Sequence, residues 1–261
     1  MGQSNMQGQT DRFTGDNTPI EGALEYRYFT DALIELKTPV GENVKYDMTE
    51  GFYAGDNIPR WQKAHVLGAA CEGGTNLVPK FCDEYVKGTG RKVVAVHVAK
   101  GATTVAEWLP GSAGYGALTA KVDKAFIKIK SEKMILGSVY AVWLQGESDA
   151  LAATTKAQYK ERLTTLKNAL KERYGVKYFG IIKVGEFALN DCDQTIFDAQ
   201  EELCVQDKDF VMLTRVTHEI MRTPEYMNPE ARGHYSVKGI TLIGEKAGKA
   251  LAEIVKLGRR S

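Results

Sequence analysis

Cysteines, long apolar stretches and an excess of either charge are all scarce in this sequence, and each scarcity excludes a class of protein. Four cysteines in 261 residues, with no CxxC spacing among them, are too few for a disulfide scaffold, so we expect free thiols. The longest nearly apolar run, 134–144, is too short to span a bilayer. Lys plus Arg number 34 against 33 Asp plus Glu, so the net charge of +1 argues against a nucleic-acid or membrane partner.

The first residues also lack the basic and apolar regions of a signal peptide, and the sequence assigns no compartment. What is present is the composition of an ordinary globular protein, 43% hydrophobic and 26% charged, long enough for one large core. We expect a single domain over residues 1–261. The first 75 residues carry turn clusters and little periodicity, which indicates long loops with short helices; a small separate subdomain there is the alternative.

Helix and strand patterns alternate from residue 77 onward. Strand then helix, repeated four times, predicts an α/β fold, a three-layer α/β/α sandwich around a flavodoxin-like parallel sheet. Chemistry in such sheets gathers at the carboxyl ends of the strands. Gly88 and Gly175 are the expected ends of the first and third helices. The predicted helices cover 77–87, 118–130, 156–174, 195–205 and 237–257, and the predicted strands cover 93–99, 137–145, 178–184 and 210–214.

Four segments carry a recognisable pattern: "GQSNM" at 2–6, "GATTVAEW" at 101–108, "WLQGESD" at 143–149 and "HYSVKG" at 234–239. In this order they resemble the blocks of the SGNH hydrolase superfamily, in its sialate O-acetylesterase and acetylxylan esterase branch, similar to carbohydrate esterase family 6. Members carry blocks close to GQSNM, GGTSIxxW, WxQGExD and HxSxxG. The resemblance implies the SGNH fold and a serine esterase that removes O-acetyl groups from a carbohydrate, with no metal or cofactor.

A serine hydroxyl becomes an effective nucleophile when an imidazole takes its proton, so a serine and a histidine from distant parts of the chain are the minimum machinery. Ser4 and His234 are the expected pair. Among the other histidines, His97 lies inside an apolar strand pattern and is expected to be a core residue, and His65 falls in an irregular region. His218, which follows the last predicted strand, is the rival to His234.

Acyl transfer develops an oxyanion, which needs hydrogen-bond donors aimed at it. The backbone N–H groups of Ser4 and Gly101 are two candidates, and the resemblance suggests the side-chain amide of Gln145 as a third. For Glu147 and Asp149 the alternative role is to cap the helix that follows them. The residues expected to wall the substrate, or else to pack, are Asn5, Trp108, Glu147 and Tyr235.

One departure from the family pattern concerns the acid that orients the histidine. The family has an aspartate three residues before it, where this chain has Ala231. Glu230 is the nearest acid and is the predicted catalytic replacement; a backbone carbonyl, or Glu147, is the alternative. Loss of the orienting acid costs up to about 10⁴ in turnover while leaving substantial catalysis. The missing aspartate also supports an alternative hypothesis, in which the chain is a non-catalytic carbohydrate-binding relative.

A second departure concerns the first strand. In the superfamily GQSNM directly follows a central apolar strand, whereas here Met1 immediately precedes Gly2. Either another part of the chain supplies this strand, or the chain is a fragment or rearranged version of a longer polypeptide, secreted or virion-associated, whose other domains would be partners. We expect some segment to occupy the central position of this strand in the sheet, because open strand edges carry unpaired backbone groups. Further alternatives are a general short-chain esterase and a binding module of a larger, phage-tail-like protein.

Overall fold

The computed structural model describes residues 1–11, 17–41 and 75–258, and its six described strands form two three-stranded sheets. The first sheet has the order β2-β1-β3, with β1 antiparallel to β2 and parallel to β3. The second has the order β4-β5-β6 and is parallel throughout. The strands are β1 (Ala23–Arg27), β2 (Ala32–Glu35), β3 (Val93–Ala95), β4 (Val139–Trp143), β5 (Val176–Ile182) and β6 (Phe210–Thr214).

The first two residues of the chain join these sheets into one. Gly2 makes parallel bridges to Ala99 beyond β3 and to Leu144 beyond β4. Only glycine fits there, because a Cβ at Gly2 would lie 2.0 Å from the Leu144 carbonyl oxygen. The N-terminal amine of Met1 donates a hydrogen bond of 2.7 Å to the Val142 carbonyl. Met1 and Gly2 therefore occupy the predicted central position in the sheet, at the end where the carboxyl ends of the strands lie.

Beyond Met1 this central position continues as a groove of about 900 Å³ between the facing edges of β3 and β4. Its walls are largely apolar and include side chains from the helices on either side, such as Phe81, Tyr85 and Phe126. In the described part of the chain, the position of the expected central strand is thus occupied at its carboxyl end, and the rest of it is the groove.

Two pairs of helices cover the sheet and complete the three-layer α/β/α sandwich that the sequence predicts. α2 packs along α8, and α5 packs along α6. The helices are α1 (Ser4–Gln7), α2 (Val78–Thr89), α3 (Ala113–Ser131), α4 (Glu147–Leu151), α5 (Lys156–Tyr174), α6 (Asp191–Gln206), α7 (Val216–Ile220) and α8 (Val237–Leu257), with 3₁₀ turns at Val105–Trp108 and Pro224–Tyr226.

Two expectations about these elements are wrong, each for a reason in the packing. The early region is not only loops and short helices, because β1 and β2 pair as a hairpin whose first strand continues the sheet beside β3. Helix α2 does not end at Gly88 but runs on to Thr89 and is capped by Gly90. Gly88 faces α8, where a Cβ would lie 2.5 Å from that of Ala252.

Aromatic rings form the centre of the core across the second sheet. Trp108 meets Trp143 edge-on with ring centroids 6.0 Å apart, and Trp143 in turn meets Phe179 at 6.1 Å. Phe179 continues the row to Phe210 at 5.3 Å. Such pairs contribute about 0.5–1.5 kcal/mol each beyond the area they bury, so this row anchors the strands that carry the site. Within the described residues, no helix has the length and apolar character needed to cross a membrane.

The cysteines and terminal residues complete the comparison with the sequence. Cys82, Cys192 and Cys204 are free thiols, as expected. His65 and Cys71 lie outside the described residues, as do the last three residues, 259–261.

Candidate active site

The four motif segments meet at the carboxyl edge of the parallel strands, through contacts made by the first nine residues. The Gln3 N–H donates to the Leu144 carbonyl at 3.2 Å, and the Gln3 side chain accepts from the Ser148 N–H at 3.2 Å. On the other side, the Lys100 N–H donates to the Gly2 carbonyl at 3.0 Å. The GQSNM segment therefore lies between the segment after β3 and the segment after β4.

Ser4 begins the four-residue helix α1, directly after the extended residues that bridge the sheets. Its side chain is largely enclosed, and Gly101 approaches it so closely that a Cβ there would lie 3.4 Å from the Ser4 Cβ. The Ser4 carbonyl accepts hydrogen bonds from Gly8 and Gln9. Its backbone N–H has no acceptor among the described residues, so it is available to an oxyanion.

Asn5 connects the serine segment to the histidine segment. Its side-chain amide donates to the Gly233 carbonyl at 3.1 Å and its oxygen accepts from the Tyr235 N–H at 3.3 Å. These are the two residues that flank His234. The same amide donates to Glu147 Oε1 at 2.8 Å. One buried side chain thus holds the loop of His234 beside the turn of Ser4 and against α4.

The His234 ring is oriented by a backbone carbonyl. Its Nδ1 lies 3.0 Å from the Arg232 carbonyl oxygen, which can only accept, so the hydrogen must be on Nδ1. The lone pair of the neutral ring is then on Nε2, which is enclosed and has no partner among the described residues. Burial lowers the pKa of the imidazole below its ordinary 6.5. The ring is therefore in the tautomer that a general base requires.

Glu230 does not take the position of the missing aspartate in this structure. Its side chain is exposed, while its backbone N–H donates to the Asn228 side chain at 2.9 Å. The described residues give the His234 ring no hydrogen bond to a carboxylate. The orienting contact belongs to Arg232, whose carbonyl lies two residues before the ring.

The other two expected oxyanion donors are committed to internal hydrogen bonds. The Gly101 N–H donates to Gln7 Oε1 at 3.0 Å. Both hydrogens of the Gln145 amide are used, one toward the Thr103 carbonyl at 2.8 Å and one toward Asp149 Oδ2 at 2.6 Å. In this conformation neither residue has a free donor, and Gln145 instead ties the segment after β3 to α4.

The side chains expected to wall the substrate are packed inside the protein. Trp108 is fully buried and donates through its indole N–H to Thr103 at 3.0 Å. Tyr235 is buried, with its hydroxyl 3.4 Å from the Thr217 carbonyl. Asn5 and Glu147 bind each other, and burial raises the pKa of Glu147. These four residues shape the site from beneath, which favours the packing role over direct substrate contact.

The other two described histidines, His97 and His218, make contacts outside the pair formed by Ser4 and His234. His97 is buried, its Nε2 lies 2.8 Å from the Met6 carbonyl oxygen, and burial lowers its pKa to about 3, as suits a neutral core residue. The ring of His218 packs edge-on against Phe197 of α6 at 5.0 Å. The contacts of Asn5 thus favour His234 over His218 as the partner of Ser4.

Sequence reasoning missed three residues that build the site, and it missed the partners of a fourth, Asp149. Gln7 follows Ser4 by one helical turn and holds Gly101, and Asp149 accepts from the Val105 N–H at 2.8 Å as well as from Gln145. The sequence shows an acid at this position of QGESD, but it does not show which groups that acid contacts. Phe187 packs edge-on against His234 at 5.9 Å, and Asp193 holds the loop of Phe187. Nothing in the sequence pattern singles out this last pair.

Helices on both faces of a largely parallel sheet, with motif segments gathered at its carboxyl edge, define a three-layer α/β/α fold with a candidate hydrolase site at one edge. The sequence matches a family model described as carbohydrate esterase, sialic acid-specific acetylesterase, over residues 1–253. The chain therefore belongs to this family of carbohydrate esterases.

Two solved structures were compared with this chain, both at low sequence identity. A protein from Arabidopsis thaliana is 17% identical, with a TM-score of 0.69 over 97% of this chain and 95% of that one. A lipase/acylhydrolase from Enterococcus faecalis is 16% identical, with a TM-score of 0.48 over 72% of this chain and 88% of that one. A comparison with curated proteins gave no match.

Proposed function

We propose that this esterase removes O-acetyl groups from a carbohydrate through an acetyl-serine intermediate on Ser4. The observation that carries the proposal is the double contact of Asn5 with the residues on either side of His234, which keeps the serine turn and the base together. The free Nε2 of His234 in its basic tautomer supports the same assignment. Family membership supports ester hydrolysis on carbohydrates.

In the first step His234 Nε2 takes the Ser4 hydroxyl proton while Oγ bonds to the acetyl carbonyl carbon. The carbonyl oxygen becomes an oxyanion, toward which the Ser4 N–H is the available donor. The bond from carbon to the sugar oxygen then breaks, and His234 gives its proton to that oxygen. Water repeats the sequence on the acetyl-serine and releases acetate and the free hydroxyl of Ser4.

A serine-reactive fluorophosphonate probe tests the assignment. The intact protein should be labelled at Ser4, and labelling should be lost in Ser4→Ala and greatly slowed in His234→Ala. Ser112→Ala is a matched control, because Ser112 caps α3 and its hydroxyl donates to the Glu107 carbonyl at 2.7 Å, outside this site. An intact protein that is unlabelled yet binds acetylated glycans would overturn the proposal in favour of a binding module.

Acetate release identifies the substrate. O-acetylated sialic acid, acetylated xylan and O-acetylated bacterial polysaccharides should be compared with p-nitrophenyl acetate. A preference of kcat/KM for one carbohydrate is the expected result. Equal rates on simple aryl esters, with none on the glycans, would instead support a general short-chain esterase.

A further inference from the structure

Among the described residues, the ring of His234 makes a hydrogen bond through Nδ1 and none through Nε2. Its hydrogen bond to the Arg232 carbonyl comes from the same loop, so it fixes the tautomer without tying the ring to the rest of the protein. The charged groups on the elements around it are Glu230 and Arg232 on its own loop, Glu147 on α4, and Glu186 paired with Arg222. Among the described contacts, none of these charged side chains bonds to the ring.

Phe187 supplies the contact from outside that loop. Its ring meets the imidazole at 90°, with centroids 5.9 Å apart. It also packs closely against the residue before the histidine, since a Cβ at Gly233 would come within 2.2 Å of two Phe187 ring carbons. Gly233 has φ +74°, a conformation that favours glycine. The backbone of the histidine loop and the aromatic ring therefore fit each other closely.

Phe187 is itself fixed by a buried carboxylate at the start of α6. Asp193 Oδ1 accepts from the N–H groups of Phe187 and Ala188, each at 3.0 Å. Its Oδ2 accepts from the Leu189 N–H at 2.6 Å. Three hydrogen bonds from successive residues to one carboxylate make this loop a rigid support.

We propose that Phe187 is a positioning residue for His234, held by Asp193, and that its ring fixes the imidazole and keeps water from it in place of the missing carboxylate. The expected effect of Phe187 on catalysis rests on the proposed esterase function. The expected effect of Phe187 on the orientation and hydration of the His234 ring does not depend on that function.

The kinetic test compares Phe187→Ala with Phe187→Leu, which keeps a large apolar side chain. Loss of the ring should lower kcat by roughly 10- to 100-fold with little change in KM, because general-base catalysis contributes about 10²–10⁴. The acid limb of the kcat/KM profile should move upward toward 6.5, because water then reaches the imidazole. Phe187→Leu should recover much of both effects, and Phe29→Ala, which removes an exposed ring elsewhere, should change neither.

A measurement without turnover separates the two proposals. NMR titration of the His234 ring protons should give a higher pKa in Phe187→Ala than in the intact protein, and Asp193→Asn should shift it the same way by less. If the ring titration moves but the intact protein is not labelled by the fluorophosphonate, the proposed function fails and the positioning role stands. An unchanged titration and acid limb in folded Phe187→Ala, or a change in KM alone, would overturn the positioning role.

Discussion

At the scale of single residues, the site replaces a carboxylate with a carbonyl. The Arg232 carbonyl sets the same tautomer that an aspartate would set, because both can only accept the Nδ1 hydrogen. A neutral carbonyl would do less to stabilise the imidazolium of the proposed mechanism, and burial lowers the pKa of His234 further. The His234 ring therefore stays neutral to a lower pH than an exposed histidine would, as the proposed role of general base requires.

Ala231→Asp tests this account by restoring a carboxylate at the family position. In the parent, activity should fall as pH drops through a His234 pKa below 6.5, since only the neutral ring accepts the proton. The new negative charge should move that acid limb to higher pH and raise kcat roughly 10- to 10⁴-fold. Ala231→Asn is the uncharged control. Profiles of kcat/KM that coincide for both variants would contradict the account.

At the scale of elements, the close packing of α2 on α8 depends on small residues. Gly88 lies in the last turn of α2, one residue before the helix ends at Thr89. The Ala252 Cβ would lie only 2.5 Å from a Cβ at this position. Gly88 is therefore explained by the small space between α2 and α8, and not by a role in ending the helix.

Gly88→Ala should destabilise the protein by about 1–3 kcal/mol, because the added methyl group forces the helices apart. Gly116→Ala is a matched control in α3, where nothing lies within 4 Å of the added Cβ, and it should stabilise by about 0.5–1 kcal/mol. Urea unfolding measures both. Combining Gly88→Ala with Ala252→Gly should recover most of the loss, and the absence of recovery would exclude the clash as its cause.

At the scale of the whole molecule, two residues join the described strands into one sheet. Met1 and Gly2 connect β3 and β4 at the carboxyl edge, and within the described residues the apolar groove beyond them leaves the facing strand edges open. The N-terminal amine is buried at the end of this groove, and burial lowers its pKa from 8.0 to about 5. The unfolded chain therefore holds this proton at pH values where the folded chain releases it, so this group makes stability rise from pH 5 to pH 8.

An engineered extension of four Val and Ile residues ahead of Met1 should continue the bridge as a strand. Each side chain that becomes fully buried contributes about 1.5–3 kcal/mol, and Tm rises by roughly 2–4 °C per kcal/mol for a protein near this size. A Gly/Ser extension of equal length is the control. Both should flatten the rise in Tm between pH 5 and pH 8, because both replace the buried amine with an amide, but only the apolar one should raise Tm at pH 8.

Much of the fold could be predicted because its elements are long and periodic. The helix at 156–174, the helix at 237–257 and the strand at 210–214 have the predicted bounds, since each has an apolar pattern with a clear end. The β1–β2 hairpin was missed because two strands of five and four residues carry little periodicity. β1 is fixed by its pairing with β3 and β2 by its pairing with β1, and local sequence does not record these partners.

The amino-acid sequence by itself determined the family, the layered α/β fold and the four segments that meet at one edge, because motif order and hydrophobic period are written along the chain. Only the tertiary structure decided which polar groups remain free. Gln145 and Gly101 donate to internal acceptors, and the His234 ring bonds to a carbonyl rather than to Glu230. Packing decides which hydrogen-bond partners meet when they are distant in sequence. The same residue types can therefore donate in catalysis or donate to an acceptor inside the protein.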